Sequence, residues 1–248
     1  MRLFVHELRA QQLVFWRSRE AAIFVFVFPI LLFVLLNAVY EGESDGVPVV
    51  NALVAGLLGY GVANTTFAGL AILLVGRREN GILKRLRSTP LPPAVYLAAA
   101  VASILLVFAL QSAALLALGT LVFGADAPER PLSLVAALAL GAASFAGLGF
   151  AAASLIRSAE GAAPVTNVIV LPMAFLSGGF GPARELPSFL AAVADILPLR
   201  YFIDLVEATF VDGEPIWSRP GAIAVLAAWG LAGIAVASRR FRWEPREG

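Results

Sequence analysis

Six stretches of this chain run to membrane-span length, or close to it, without Asp, Glu, Lys, Arg or His: Ala21–Tyr40, Val49–Val75, Ala94–Phe123, Leu132–Ile156, Gly161–Phe180 and Gly221–Ser238. A helix needs about 20 mostly apolar residues to cross the hydrocarbon layer of a bilayer. Inside that layer every backbone N–H and C=O must find its partner in protein, and a helix pairs them within one segment. The runs lack the alternating apolar/polar period of a membrane barrel, so they predict helices. The second and third are longer than a perpendicular span, which predicts tilt or protruding ends. Only 14% of the 248 residues are charged, against about 25% in a soluble domain. A water-soluble fold would have too little polar surface. The expected fold class is an all-α integral membrane protein: six transmembrane helices in a single domain over residues 1–248.

Lys and Arg set the orientation. With the N-terminus inside, fourteen of the eighteen basic residues fall on the inner side, and Arg130, Arg184, Arg200 and Arg219 fall outside. The first outer loop, Glu41–Pro48, carries Glu41, Glu43 and Asp45 and no base. Both termini are therefore expected in the cytoplasm. The N-terminal region does not read as a cleaved signal: its polar part is long and no small-x-small pattern follows the apolar run.

The connecting segments carry more pattern than topology requires. In residues 1–20, Phe4, Val5, Leu8, Phe15 and Trp16 share an arc of roughly 120° on a helical wheel. Arg2, His6, Arg9 and Arg17 lie opposite, while Gln12 and Arg19 intrude on the apolar side. This fits a helix lying in the membrane interface; a plain basic flank is the alternative. The loop 77–93 has five bases and the single acid Glu79. Ile82, Leu83 and Leu86 are spaced to share a helix face, and Thr89-Pro90 and Pro92-Pro93 end any helix there. The outer segment 181–219 shows two apolar stripes. The first, Leu186, Phe189, Leu190, Val193, Ile196 and Leu197, reads as a helix dipping back into the bundle. The second, Tyr201, Phe202, Leu205, Val206 and Phe210, alternates with Asp204, Glu207 and Asp212. The segment is read as a re-entrant helical hairpin.

Much chemistry is excluded. With no Cys and only His6, there is no Cys/His zinc site, disulfide or thiol nucleophile. No GxxxxGK[ST] run occurs, so no ATP site is evident. Gly147–Ala152 matches a relaxed dinucleotide pattern but lies inside an apolar run with no strand before it, and reads as close helix packing. Asn64-Thr65-Thr66 is a sequon inside a span, out of reach of glycosylation. Proton- and sodium-driven carriers need ionisable groups in their spans; these spans have none.

The layout resembles the membrane subunit of type-two ATP-binding-cassette (ABC) exporters over nearly the whole chain. Three pieces carry the resemblance. They are the interfacial N-terminal helix, the run Glu79-Asn80-Gly81-Ile82-Leu83-Lys84-Arg85-Leu86-Arg87-Ser88-Thr89-Pro90-Leu91-Pro92, and the pattern Phe175-Leu176-Ser177-Gly178-Gly179-Phe180 … Glu185-Leu186-Pro187 … Leu197-Pro198-Leu199-Arg200-Tyr201. Ile82 stands where the family commonly has Thr. The resemblance implies a permease that works as two membrane chains, identical or homologous, with two ABC ATPase subunits holding ATP and Mg; this chain itself holds no cofactor and no metal, and no nucleic acid is involved. It implies that Glu79, Asn80, Gly81, Leu83, Lys84, Arg85, Leu86 and Arg87 form a coupling helix docked on the ATPase, with Leu83 and Leu86 as the apolar contact. It places a substrate path between the two membrane chains, mapped here to Asn64, Thr65, Phe67, Thr166, Asn167, Met173 and Phe175. It implies a multi-pass protein of the inner (plasma) membrane, embedded in lipid, that exports a drug- or antibiotic-like molecule. Other family members move lipids, polysaccharides or haem. From another class, an ion-coupled carrier, an assembly subunit without transport and a membrane enzyme are the rival readings.

The topology is testable because single cysteines can be placed anywhere in a Cys-free chain. A membrane-impermeant thiol label applied to intact cells is expected to modify Ser44→Cys and Asp212→Cys but not Ser88→Cys. Labelling at position 88 reverses the orientation.

Overall fold

The apolar runs fold as helices, extended at their ends by polar residues that cap or anchor them. The computed structural model describes residues 2–40, 42–44, 47–181 and 187–244. In chain order the helices are α1 (Arg2–Arg17), α2 (Arg19–Val39), α3 (Val49–Glu79), α4 (Ile82–Arg87), α5 (Pro93–Val122), α6 (Pro131–Leu155), α7 (Ala159–Leu176), α8 (Ser188–Ala194), α9 (Pro198–Phe210) and α10 (Pro220–Arg240). Six of them, α2, α3, α5, α6, α7 and α10, are long and apolar enough to cross a membrane. A two-rung antiparallel pair, Glu43–Ser44 with Val47–Pro48, joins α2 to α3. Pro at the first helical position starts α5, α6, α9 and α10, where its missing N–H costs nothing.

The bundle is built round α3. Of its most apolar window 78% is buried inside the chain, against 11% for α2, and α2, α5, α6, α7 and α9 all pack on it. α6 and α10 form the closest pair. A Cβ on Gly147 would sit 2.5 Å from the Gly230 carbonyl oxygen, so side chains larger than hydrogen are excluded there. Ser144 Oγ donates to the Leu226 carbonyl at 2.6 Å in the same seam. The glycines of the Gly147–Ala152 run therefore serve backbone approach, as small residues do between membrane helices.

The outer segment differs from the sequence expectation in which stripe enters the bundle. Phe189 and Ile196, on and just after α8, are each 66% exposed, and Val193 is exposed as well. Leu199, Phe202, Leu205 and Val206 of α9 are fully buried, against α3, α6 and α10. Most of the first stripe lies on the surface, with Leu190 half-buried and Leu197 packed against the core, and the second is the inserted one. A seven-residue α8 cannot carry a continuous stripe, whereas α9 runs for thirteen. Pro182, Glu185 and Leu186 lie outside the described residues.

At this end of the molecule, Asn51 ties α3 to the α5–α6 loop. Its Nδ2 donates to Asp126 Oδ2 at 2.6 Å, and its Oδ1 accepts from the Asp126 amide at 3.0 Å. Beyond α9, Arg219 gathers carboxylates: Asp204 at 3.3 Å, Glu214 at 3.4 Å and Asp212 at 3.7 Å. Glu207 is left over. Burial, then the like charges of Asp204 and Asp212, push its carboxyl up to about 7, with Arg219 offsetting part of the shift. A raised carboxyl means the folded chain holds this proton more tightly than the unfolded one. The stability it contributes is complete below about 4.5 and is lost as pH rises through about 7. Glu207→Gln is therefore expected to match the parent protein near pH 4.5 and to exceed its thermal midpoint in detergent at pH 8. An identical pH profile for the two would show that Glu207 is fully solvated.

Candidate functional site

The opposite end of the bundle is basic, and α3 organises it. The helix continues past its apolar run through Arg77, Arg78 and Glu79. These three successive side chains reach different neighbours. Arg77 donates through Nη1 to Tyr96 Oη at 2.7 Å on α5 and through Nη2 to Gln11 Oε1 on α1. Its guanidinium carbon lies 5.4 Å from the Tyr96 ring centroid. Gln11 donates in turn to Glu7 at 2.7 Å.

Arg78 is 1% exposed. Its guanidinium donates to the carbonyls of Ala153 (2.7 Å), Ile156 (2.6 Å) and Arg157 (3.4 Å), where α6 ends. The last carbonyls of a helix have no partner within it and carry partial negative charge. A planar fork of donors satisfies several of them at once, which is what makes a buried cation tolerable there. Glu79 reaches the other side of the same turn and accepts from the backbone N–H of Ala159, the first residue of α7. A carboxylate at a helix N-terminus is favoured by the macrodipole. Ser158 caps that terminus by accepting from the Gly161 amide at 3.2 Å. The α6–α7 turn is thus gripped from both sides by two consecutive residues of α3.

α4 follows directly. Gly81, at φ +69°, makes the left-handed step that reverses the chain, a conformation that costs glycine no steric strain. Arg85 donates to the Asn80 carbonyl at 3.0 Å, and Ser88 and Thr89 donate back to the carbonyls of Arg85 and Leu86, both at 2.7 Å. Leu83 is fully buried, so it anchors α4 to the bundle instead of offering itself to a partner. Leu86 is half-buried. Ile82, Lys84, Arg85 and Arg87 form the exposed face. Spacing alone could not say which of three neighbouring leucine and isoleucine side chains faces inward.

Two contacts escaped the sequence reading. Arg78 counted only as one more topogenic base, and nothing in the sequence separates it from Arg77. Gln12, which spoils the apolar arc of α1, is the residue that docks it: Nε2 donates to Ser103 O at 2.9 Å and Ser103 Oγ at 2.8 Å on α5. A polar residue on an otherwise apolar face was the available signal.

The residues mapped to a substrate path divide into three groups. Asn64 is half-buried and lines a cavity with α1, α2 and α5. Thr65, Phe67, Thr166 and Met173 are buried within the chain. Thr65 Oγ1 donates to Gln111 Oε1 at 2.8 Å, and Thr166 Oγ1 bonds back to Ala162 O at 2.8 Å. Asn167 and Phe175 stand on the exposed face of α7, and no α7 residue lines the Asn64 cavity. The stretch Val62–Gly69, which holds Asn64, is π-helical. Thr66 Oγ1 donates to the Val62 carbonyl at 2.7 Å in its first turn, a side-chain bond that competes with the regular ladder. Such bulges concentrate at functional sites.

Residues 2–211 match the family model described as ABC-2 type transporter. The chain belongs to that family, as a multi-pass membrane permease. Three relatives mark its surroundings. Nodulation protein J of Rhizobium leguminosarum bv. viciae is 34% identical over 79 residues, 32% of this chain and 30% of that protein. The inner membrane transport permease YhhJ of Escherichia coli is 27% identical over 184 residues, 70% of this chain and 48% of that one. The linearmycin resistance permease protein LnrN of Bacillus subtilis is 23% identical over 177 residues, 71% of this chain and 46% of that one. The matches span about half or less of each relative's length.

The grip on the α6–α7 turn is open to measurement. Lysine at position 78 keeps the charge but has no planar fork for three carbonyls. Each buried carbonyl left unpaired costs about 1–3 kcal/mol. Arg78→Lys is expected to insert normally, to lose thermal stability, and to exchange its backbone amides over 150–162 faster than the parent protein. Unchanged exchange there would reduce Arg78 to a charge that merely orients the chain.

Proposed function

We propose that the chain is the membrane-spanning subunit of an ATP-driven exporter, powered by a separate ABC ATPase that docks on the α4 end. The observation that carries this reading is the double grip of Arg78 and Glu79. A load applied to α4 is delivered to α3, to the end of α6 and to the start of α7 through short, directional, charge-assisted bonds. The exposed face of α4, Ile82 with Lys84, Arg85 and Arg87, has the apolar centre and polar rim of an ordinary protein contact. Glu79, Asn80, Gly81, Leu83 and Leu86 hold that face in place from behind.

In this reading the basic end is cytoplasmic in the inner (plasma) membrane. ATP and Mg belong to two ATPase subunits, the chain is not itself an enzyme, and the working unit contains a second permease chain, identical or homologous. The exposed apolar face of α7, with Asn167 and Phe175, is the surface offered toward that second chain and the path between them. Phe67, Thr166 and Met173 back that path from inside, while Thr65 faces α5 and the cavity beside Asn64. The cargo is a hydrophobic or amphipathic small molecule. The relative named for linearmycin resistance supports an antibiotic-like cargo; a lipid, polysaccharide or haem cargo is the alternative within the family.

Coupling is tested by separating insertion from transport. Glu79→Lys removes the acceptor for the Ala159 amide and places like charge at a helix N-terminus. Lys84→Glu with Arg87→Glu reverses the exposed rim and leaves the buried contacts alone. Both variants are expected in the membrane at normal level, with export lost. The rim variant loses ATPase binding; the Glu79 variant binds and hydrolyses ATP without moving cargo. Normal export by both would leave this segment a topological signal only.

A further inference from the structure

The cavity beside Asn64 is separate from the exposed face of α7 and meets the coupling end only at Arg77 and Gln11. It has a volume of about 400 Å³, within the range of small-molecule sites. It lies where α1 turns into α2, against the π-helical stretch of α3 and the middle of α5. Its walls are mostly apolar, with Phe15, Phe24, Ile72 and Val107 among them; Arg77 with Gln11, and Asn64 with Thr65, form two separated polar groups, and Ser18 and Ser103 also line it. Arg77 marks one end. Asn64 is thirteen residues earlier on the same helix, about 20 Å away at 1.5 Å per residue.

Both polar groups are incompletely used. Arg77 is partly buried, and no carboxylate of the described residues lies within ion-pair distance of it. Two of its N–H groups go to neutral acceptors, Tyr96 and Gln11, which leaves further donors of the fork. Thr65 and Thr66, the neighbours of Asn64, are both satisfied. The Asn64 amide has no hydrogen-bond partner among the described residues, yet it faces an apolar cavity in the middle of a span. A positive group that reaches a carboxylate, Glu7, only through Gln11, and an unpaired amide, joined by a mostly apolar trough, specify a ligand by complementarity. A bilayer phospholipid matches the first feature and leaves the amide against its acyl chain.

We propose that this cavity binds an anionic amphiphile whose acidic group sits on Arg77 and whose second polar group, at the far end of an unbranched apolar body, hydrogen-bonds Asn64. The occupant is cargo on its way into the exporter, and that clause alone rests on the export reading. Binding within one protomer requires neither the ATPase nor a second chain. Gln11, bonded to Arg77, keeps that end polar, while Ser103 lies part-way along α5 between the levels of Tyr96 and Gln111, engaged by Gln12. Gly69 lines the trough where a Cβ would meet only the Asn64 carbonyl oxygen at 3.6 Å, so a side chain introduced there enters the cavity without displacing backbone.

The test uses the full chain in nanodiscs of zwitterionic lipid, without ATPase, and two radiolabelled probes: hexadecanoate and ω-hydroxyhexadecanoate, with binding to empty nanodiscs subtracted. The parent protein is expected to bind the hydroxy acid about tenfold tighter, a difference of about 1.4 kcal/mol. Asn64→Leu should erase that preference and keep the affinity for hexadecanoate. Arg77→Gln should weaken both acids about tenfold or more, and Gly69→Leu should abolish both. Equal affinity of the two acids for the parent protein overturns the proposal, as does undiminished binding by Gly69→Leu. A co-purifying phospholipid that the hydroxy acid does not displace overturns it as well. Where binding follows this pattern but a reconstituted complex with its ATPase transports neither acid, the site stands and its cargo role falls.

Discussion

Hydrocarbon offers no hydrogen bonds, and the whole of this molecule depends on how it meets that constraint. Most of the chain does so by simple helical pairing. Among the described residues, Pro29 of α2 and Pro164 and Pro172 of α7 interrupt that pairing, and polar exceptions lie on and around α3. Its middle is π-helical, its polar neighbour Gln111 is reached by Thr65, and its end places a guanidinium among the carbonyls that α6 leaves unpaired. Ser112 and Ser177 hydroxyls are buried without a protein partner among the described residues. A helix packed by five others is where such groups are cheapest to hold, because its surroundings are protein and not lipid.

The same helix links the two ends of the bundle. At one end Asn51 holds the loop before α6 through Asp126. At the other end Arg78 holds the turn after α6. α6 is therefore fastened to α3 at both ends and to α10 along its length, through a seam too close for side chains. These elements move as a block if they move at all, since packed interfaces have discrete arrangements and do not deform continuously. α1 and α2 are fastened differently. α2 has little buried surface, and α1 is held through polar contacts of Gln11 and Gln12. The cavity lies along that looser boundary.

The six long helices were legible in the sequence because the absence of charge over about 20 residues has one physical meaning in a chain this apolar. The family resemblance was legible for a different reason: turn-forming residues at fixed offsets, Glu79-Asn80-Gly81 and Thr89-Pro90 among them, carry local geometry. Burial was not legible. The two stripes beyond α7 have similar spacing, yet α9 is buried and α8 is not, since periodicity defines a face without saying what covers it. Leu83 and Ile82 are adjacent and equally apolar, and only the direction in which the Gly81 turn launches α4 decides between them. Arg77 and Arg78 are identical neighbours. A rotation of 100° along the helix sends one toward α1 and α5, and the other into the end of α6.

That rotation has a mechanical consequence. Because Arg77 and Arg78 are consecutive, any twist of the last turn of α3 acts on both neighbours together: on α1 through Gln11 and on the α6–α7 turn through the buried guanidinium. Glu79, one step further, adds the start of α7. Residues at successive 100° positions on one rigid turn cannot be displaced independently. The cavity shares Arg77 with this turn, so a ligand that engages that guanidinium and a partner that displaces α4 act on the same few backbone atoms. If the proposed ligand binds two positions of α4 with different affinity, linkage requires that α4 displacement change the ligand's affinity by the same factor.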